Sequence, residues 1–215
     1  MKARTILRRL NKKRVFKSIR DESKQKYAEI KRKMEQGDDL DDKQWKHIKD
    51  YDKYQISNYG LVRHIQTNRV LKPGIRGDGR FFVILCNDDG HKSASIHKLV
   101  ADAFLDKVEN KPYIDHIDCN RLNNHVVNLR YVNNQENQQN RGSSSNSTSK
   151  YKGVTLHKKT KKWQAQITLD GKQTHIGYYI HEKDAAKAYN DKAQELSEYF
   201  RLNEISDDEP NDIHE

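Results

Sequence analysis

Seven residues, Ser143 to Ser149 (SSSNSTS), do most to limit what this chain can become. A run of serine, asparagine and threonine has nothing apolar to bury, and by composition it reads as a flexible linker. The acidic stretch Asp38–Asp42 (DDLDD) is a second polar break. In a chain of 215 residues that is 33% hydrophobic and 33% charged, such breaks point to small domains with shallow cores, not one deep core. Two cysteines, Cys86 and Cys119, are too few for a disulfide framework, and the absence of any CxxC pair excludes a thiolate zinc ribbon. No apolar run is long enough to span a bilayer and the N-terminus lacks the apolar core of a signal peptide. The sequence therefore reads as soluble and intracellular, with no membrane association and no obligate protein partner.

The net charge is +10, and its distribution says more than its sum. Residues 1–36 carry +10, residues 37–149 only +1, residues 150–203 +5 and the last twelve −6. A basic arm, a near-neutral centre and a basic C-terminal module call for a polyanionic partner. Within the arm, residues 1–37, Ile6, Leu7, Leu10, Val15, Phe16 and Ile19 approximate one helical face. A solvated helix and a disordered arm both satisfy that pattern, and a stretch this basic also matches a nuclear-import patch. The acidic tail, residues 206–215, reads as disordered.

From Gln44 to Phe82, aromatic and β-branched residues alternate with turn signals, so residues 43–90 read as a small β-rich unit. Trp45, Ile48, Tyr54, Ile56 and Val62 are its expected core. Strands are expected at Arg80–Cys86 and Ser93–His97, joined by a turn at Asn87–Gly90. Leu99, Val100, Ala103 and Phe104 then give a short helix an apolar face, with His97 at its start.

Chemistry is concentrated in Tyr113–Gly142, YIDHIDCNRLNNHVVNLRYVNNQENQQNRG. Asp115 and His116 stand on a short strand, an Asn-rich loop follows, and a second strand is expected at Leu129–Val132. A polar helix comes next, with Asn133 and Glu136 spaced for reciprocal capping. Carboxylate, imidazole and amide groups gathered at a helix start suit a hard cation and a phosphate.

Several of these pieces carry family resemblances. WKHIKDYDKYQISNYGLVRH is similar to the β-rich element that precedes the nuclease motif in many homing endonucleases of phages and mobile introns. IHKLVADAFL resembles the segment such proteins place just before the catalytic strands. DHIDCNRLNNHVVNLRYVNNQENQQN resembles the HNH nuclease family, whose ββα-metal unit would cover residues 91–142. The D-H, N-N, N-L-R and E-N pieces occur in order. Two departures stand out: Cys119 lies where such loops often carry glycine, and the third signature residue is Asn137 instead of histidine.

The resemblance implies a division of labour. His116 would take a proton from the attacking water at neutral pH. Asp115 and Asn137 would hold a divalent ion, Mg2+ or Mn2+, which keeps its remaining positions for water and phosphate. Adjacent strand residues point to opposite faces, so Asp115 and His116 would act on opposite sides of the scissile phosphate. Asn128 matches the family's central asparagine, which braces the loop and helps orient the histidine. Asn123 and Asn124 are expected to shape the loop through local bonds. Arg121, Arg130 and Arg141 are candidates for phosphate contacts, with solvated surface arginine as the alternative.

After the linker, YKGVTLH, KWQAQITL and KQTHIGYY read as three short strands, and Glu182–Ser197 as a helix with an alanine-rich face. Residues 150–205 resemble the Apetala-two/ethylene-response-factor DNA-binding domain in Y-K-G-V, W-Q-A-Q-I, H-I-G-Y-Y, D-A-A-K-A-Y-N and Leu202-Asn203. That family lays an exposed sheet face in the major groove. Thr155, His157, Lys162, Trp163, Gln166, Thr168 and Gln173 are the implied contacts. Thr155 and Thr168 replace arginines usual there, so no base preference carries over.

The expected fold class is a modular α+β chain: a ββα-metal motif plus a three-stranded antiparallel sheet packed on one helix. The expected function is a metal-dependent, homing-type endonuclease acting on double-stranded DNA. A non-catalytic DNA-binding regulator with a degenerate nuclease motif is the alternative. An RNA-directed nuclease fits less well, because no single-strand stacking module is visible.

Overall fold

The computed structural model describes residue 25, residues 43–143 and residues 147–206. The basic arm (apart from helical, exposed Gln25), the acidic break and nearly all of the acidic tail lie outside the described residues. The chain divides into two compact units, one ending at Tyr131 and the other beginning at Val132. Small sheets and few helices make it a mixed α/β protein.

In the first unit, β1 (Trp45–Ile48), β2 (Tyr51–Ser57) and β3 (Val62–His64) form one antiparallel sheet in that order. A second sheet is made of β4 (Gly74–Ile75), β5 (Phe81–Asn87) and β6 (Gly90–Ser95). Its β5–β6 register closes at Asn87↔Gly90. The strand expected at Ser93–His97 lies earlier in the chain: β6 spans Gly90–Ser95, and helix α1 (Ile96–Phe104) starts at once. Ile96, Val100 and Ala101 form the helix's buried stripe, at the i, i+4 and i+5 spacing that one helical face allows. Strands β7 (Tyr113–His116) and β8 (Leu129–Val132) pair in a two-stranded sheet, with a short 3-10 turn at Val126–Asn128 before β8.

One hydrophobic cluster runs from Ile48, Tyr54, Ile56 and Val62 through Phe81, Val83 and Leu85 to Ile96, Val100 and Leu129. The β-rich element and the nuclease-like segment therefore share a single core. Trp45 departs from its expected place in that core. It is half-exposed, with the Arg63 guanidinium 4.2 Å and the Lys43 ammonium 5.4 Å from its ring centroid.

The second unit contains α2 (Asn134–Gln139) and a βββα module: β9 (Val154–His157), β10 (Lys162–Leu169), β11 (Lys172–Tyr179) and α3 (Glu182–Leu196). The three strands form an antiparallel sheet with β10 in the centre. Trp163, Ala165 and Ile167 alternate inward along β10 and pack with Ala185, Ala186, Tyr189 and Ala193 of the helix. Gly153 has φ +74°, and a Cβ there would lie 2.2 Å from the Tyr189 ring, so only glycine lets the helix approach this closely.

The end of the expected linker is bound into this module. The Ser149 hydroxyl donates to the buried Glu182 carboxylate at 2.5 Å, and the Leu156 N–H donates to the Thr148 hydroxyl at 2.9 Å. Asn203 acts as a backbone mimic, accepting from Lys152 N–H at 2.7 Å and donating to its carbonyl at 3.1 Å. That pair of bonds explains the Leu202-Asn203 piece.

Candidate active site

Asp115 and His116 occupy the end of β7, 9% and 3% exposed. Burying a carboxylate and an imidazole side by side is costly unless both are hydrogen-bonded, and both are. Arg130, on the paired strand β8, donates from Nε and Nη2 to Asp115 Oδ2 at 3.2 and 3.1 Å. His116 Nε2 lies 3.2 Å from Asn124 Oδ1.

The loop after β7 is built around Asp118. Its carboxylate accepts from the Asn120 N–H at 2.7 Å, Asn123 Nδ2 at 2.7 Å and Asn128 Nδ2 at 2.9 Å. Burial alone would raise the Asp118 pKa, but these donors hold it below the usual carboxylate range. Asn128 also accepts from the Asp118 N–H at 3.0 Å and donates to the Asn123 carbonyl at 2.8 Å, so it clamps both ends of the loop. Cys119 has φ +59° and its N–H donates to the His116 carbonyl at 2.8 Å. The turn directly after the histidine thus has the left-handed backbone that glycine adopts most easily, which accounts for the glycine of resembling loops.

The β-rich element positions the same loop. The Val126 N–H donates to the Asn58 carbonyl at 2.8 Å. Gly60, at φ +80°, lies so close that a Cβ would be 2.9 Å from Asn124 Cβ. The Ser57–Gly60 turn therefore braces the residue that holds His116.

Two groups the sequence did not assign to the site, His97 and Arg80, act on His116, and a third, Arg76, acts on His97. His97, on the first turn of α1, stacks on His116 at a tilt with ring centroids 5.6 Å apart. Its Nδ1 is buried without a hydrogen bond among the described residues. Burial first, then His116 and Arg80, push its pKa down to about 4. The same burial lowers His116; the Asn124 bond opposes that fall and Arg80 reinforces it. Arg80 and Arg76 come from the β4–β5 turn and lie outside the Tyr113–Gly142 stretch that carries the chemistry. Their presence here depends on packing between segments far apart in sequence.

The other expected residues fall as follows. Arg121 is exposed and donates from Nη1 to the Asp78 carbonyl at 2.8 Å. Asn137 is half-buried on α2, within the second unit, and Arg141 is exposed beyond that helix. The reciprocal cap at its start is present: Glu136 N–H to Asn133 Oδ1 and Asn133 N–H to Glu136 Oε2, each 2.9 Å. On the βββα module, Thr155, His157, Lys162, Gln166, Thr168 and Gln173 are exposed or half-buried. Trp163 corrects the expectation: it is 3% exposed, on the face of β10 that packs on the helix, so it cannot touch a partner. The pairings Gln164↔Thr155 and Gln164↔Tyr178 put Gln164 and Tyr178 on the face Trp163 does not occupy, and strand alternation could have found both.

Two family models match the chain: the NUMOD4 motif over residues 44–86 and HNH endonuclease over residues 95–139. Protein 3.8 of Escherichia phage T7 is 35% identical over 83 residues, covering 39% of this chain and 69% of that protein. The chain belongs to the HNH endonuclease family. DNA endonuclease I-HmuI of Bacillus phage SP01 is 40% identical over 103 residues, 46% of this chain and 59% of its own length. A solved structure concerned with DNA binding and cleavage by the HNH homing endonuclease I-HmuI aligns with a TM-score of 0.43 at 38% identity, over 45% of this chain and 56% of that one. The chain spans only part of several relatives, including 24% of each of two uncharacterized HNH endonucleases of Acanthamoeba polyphaga mimivirus. No helix among the described residues is long and apolar enough to cross a membrane. The HNH match encloses Asp115, His116, Asn124 and Asn128, and the NUMOD4 match encloses the Ser57–Gly60 turn and Arg76–Arg80.

Proposed function

We propose that the chain is a homing-type DNA endonuclease that hydrolyses phosphodiester bonds in double-stranded DNA with His116 as general base. The observation that carries this reading is the buried His116, held at Nε2 by Asn124 inside a segment that matches the HNH endonuclease family. With the Asn124 amide oxygen facing Nε2, that nitrogen carries the proton and the lone pair sits on Nδ1. Nδ1 therefore takes the proton from water. Burial keeps the ring neutral at pH 7, the state a base requires.

HNH nucleases generally depend on a divalent metal, and the donor chemistry here fits a hard one. Among the described residues no group of three or more His, Cys, Asp or Glu could hold an ion, which speaks against a soft, protein-enclosed site. A single carboxylate and a single amide suit Mg2+ or Mn2+, which bind few protein oxygens. Asp115 would be the carboxylate ligand, and Asn137, by its place in the motif, the amide. Such an ion would neutralise the phosphate and the leaving 3′-oxygen. Arg130 holds Asp115 in one orientation from the neighbouring strand. We read the βββα module as a sheet-reading DNA-binding domain of the Apetala-two type, because its helix covers one sheet face and leaves polar side chains on the other. The phage and giant-virus relatives fit a protein of a mobile or viral element.

Nicking of supercoiled plasmid with magnesium tests the reading. Wild-type chain should nick or cut, and His116→Ala should lower the rate by about 10²–10⁴-fold with duplex binding intact. Binding without cleavage by wild type would leave a DNA-binding regulator in its place.

A further inference from the structure

The turn between β4 and β5, Arg76-Gly77-Asp78-Gly79-Arg80, brings together two cations that gain nothing from each other. The register Ile75↔Phe81 makes Arg76 and Arg80 the next facing pair, closed by Arg76 N–H to the Arg80 carbonyl at 2.9 Å. Like charges directly opposite on paired strands destabilise a hairpin, so the arrangement calls for a reason. Asp78 offsets part of the charge, accepting from Arg80 Nη1 at 2.6 Å. Arg76 has no such partner: among the described residues its guanidinium meets the Ser93 hydroxyl at 2.7 Å and the Phe82 ring, and no carboxylate. The Nε of each arginine is buried without a hydrogen bond among the described residues, and a native protein rarely leaves such donors unpaired without cause.

The turn also faces the site. Arg80 opposes protonation of both His97 and His116, and Arg76 that of His97. Arg121, from the loop after His116, ties the turn to that loop through the Asp78 carbonyl. Asp78 thus fixes the turn without cancelling its charge.

We propose that Arg76 and Arg80 form a phosphate clamp that grips the backbone of double-stranded DNA beside the His97–His116 pair. The inference rests on the nuclease reading and adds to it a grip supplied from outside the HNH motif. Guanidinium groups suit the task, since their planar donors pair with phosphate oxygens and never lose their charge. Contacts of this kind set register and orientation on the duplex without reading sequence.

The test compares the wild-type chain with Arg76→Ala/Arg80→Ala and Arg76→Lys/Arg80→Lys double variants. Binding to a labelled duplex is followed across salt concentrations in EDTA, and plasmid nicking in magnesium. Removing two phosphate contacts should flatten the plot of log affinity against log salt by about two and raise KM for nicking about tenfold or more. The lysine variant should recover the slope. An unchanged slope in the alanine variant overturns the clamp. So does a lost slope that lysine fails to restore while the melting temperature falls, because the arginines would then only hold the fold. The binding arm needs no cleavage, so a wild type that binds but never nicks sinks the nuclease reading while the slope still decides the clamp.

Discussion

The two units solve opposite problems with the same kinds of residue. Around His116, polar side chains are buried and interlocked: Asp115 by Arg130, His116 by Asn124, Asp118 by three donors. On the outer face of the βββα sheet, Thr155, His157, Lys162, Gln166, Thr168 and Gln173 stand above a core they do not enter. A group that moves a proton must be held in one place and one protonation state, and burial with partners does both. A surface that meets a partner must leave its donors unburied. If that contrast is right, the first region should respond to pH and to deletion of single amides, and the second should respond to salt.

The largest expected effect concerns His97. Buried against His116, with Arg80, Asp78 and Arg76 around it, its pKa is pushed down to about 4, below the ordinary 6.5. The unfolded chain therefore binds a proton more readily than the folded one between those values. Stability is full above about pH 6.5 and falls as the pH drops toward 4. The shift corresponds to about 2 kcal/mol lost between pH 7 and 5, and His116, shifted in the same direction, adds to it. Asp78 and Asp118 have lowered pKa values and titrate below this window. Denaturant unfolding at pH 7 and pH 5 should show a smaller pH-dependent loss for His97→Gln than for wild type. Equal losses would mean that His97 is not held neutral by its surroundings.

Asn124 comes next. Asn124→Ala removes the oxygen that fixes His116 Nε2, and disturbing such orienting groups typically costs about 10–100-fold. Plasmid nicking should fall by that amount while duplex binding stays within twofold. Asn124→Asp keeps an acceptor facing Nε2 and should restore part of the rate. If both variants nick like wild type, the Asn124 bond does not set the tautomer.

How much of this was legible in the sequence divides along the same line. The βββα order, the Asn133–Glu136 cap and the β7–loop–β8 order follow from local periodicity and turn chemistry, which act over a few residues. Asn124 could be read only as a loop residue. Its bond to His116 arises because the Ser57–Gly60 turn presses on the loop from a segment more than sixty residues earlier. His97 lies outside the motif and by pattern only opens a helix, yet α1 brings it against His116. Arg76 and Arg80 carry no local signal at all. Trp163 was misread for the converse reason: a family resemblance marked the whole strand, whereas alternation along β10 turns that ring inward.

The smallest effect separates the sheet face from the site most cleanly. Lys162 and Thr168 are both exposed on β10, six residues apart, so strand alternation gives them the same parity, though the β11 bulge at Ile176, opposite Ala165 and Gln166, twists the sheet between them. If the face lies on DNA, the ammonium has only phosphate to neutralise, whereas the hydroxyl and methyl of threonine can meet base edges. Lys162→Ala should therefore weaken binding to all duplexes alike and flatten the salt plot by about one. Thr168→Ala should leave that slope unchanged and reduce only the preference for a favoured sequence, by about 1 kcal/mol. Trp163→Ala, by contrast, should lower the melting temperature, since its ring fills the module's core. If Lys162→Ala and Thr168→Ala change neither slope nor preference, the sheet face is not a DNA surface. The basic charge of residues 150–203 would then need another partner.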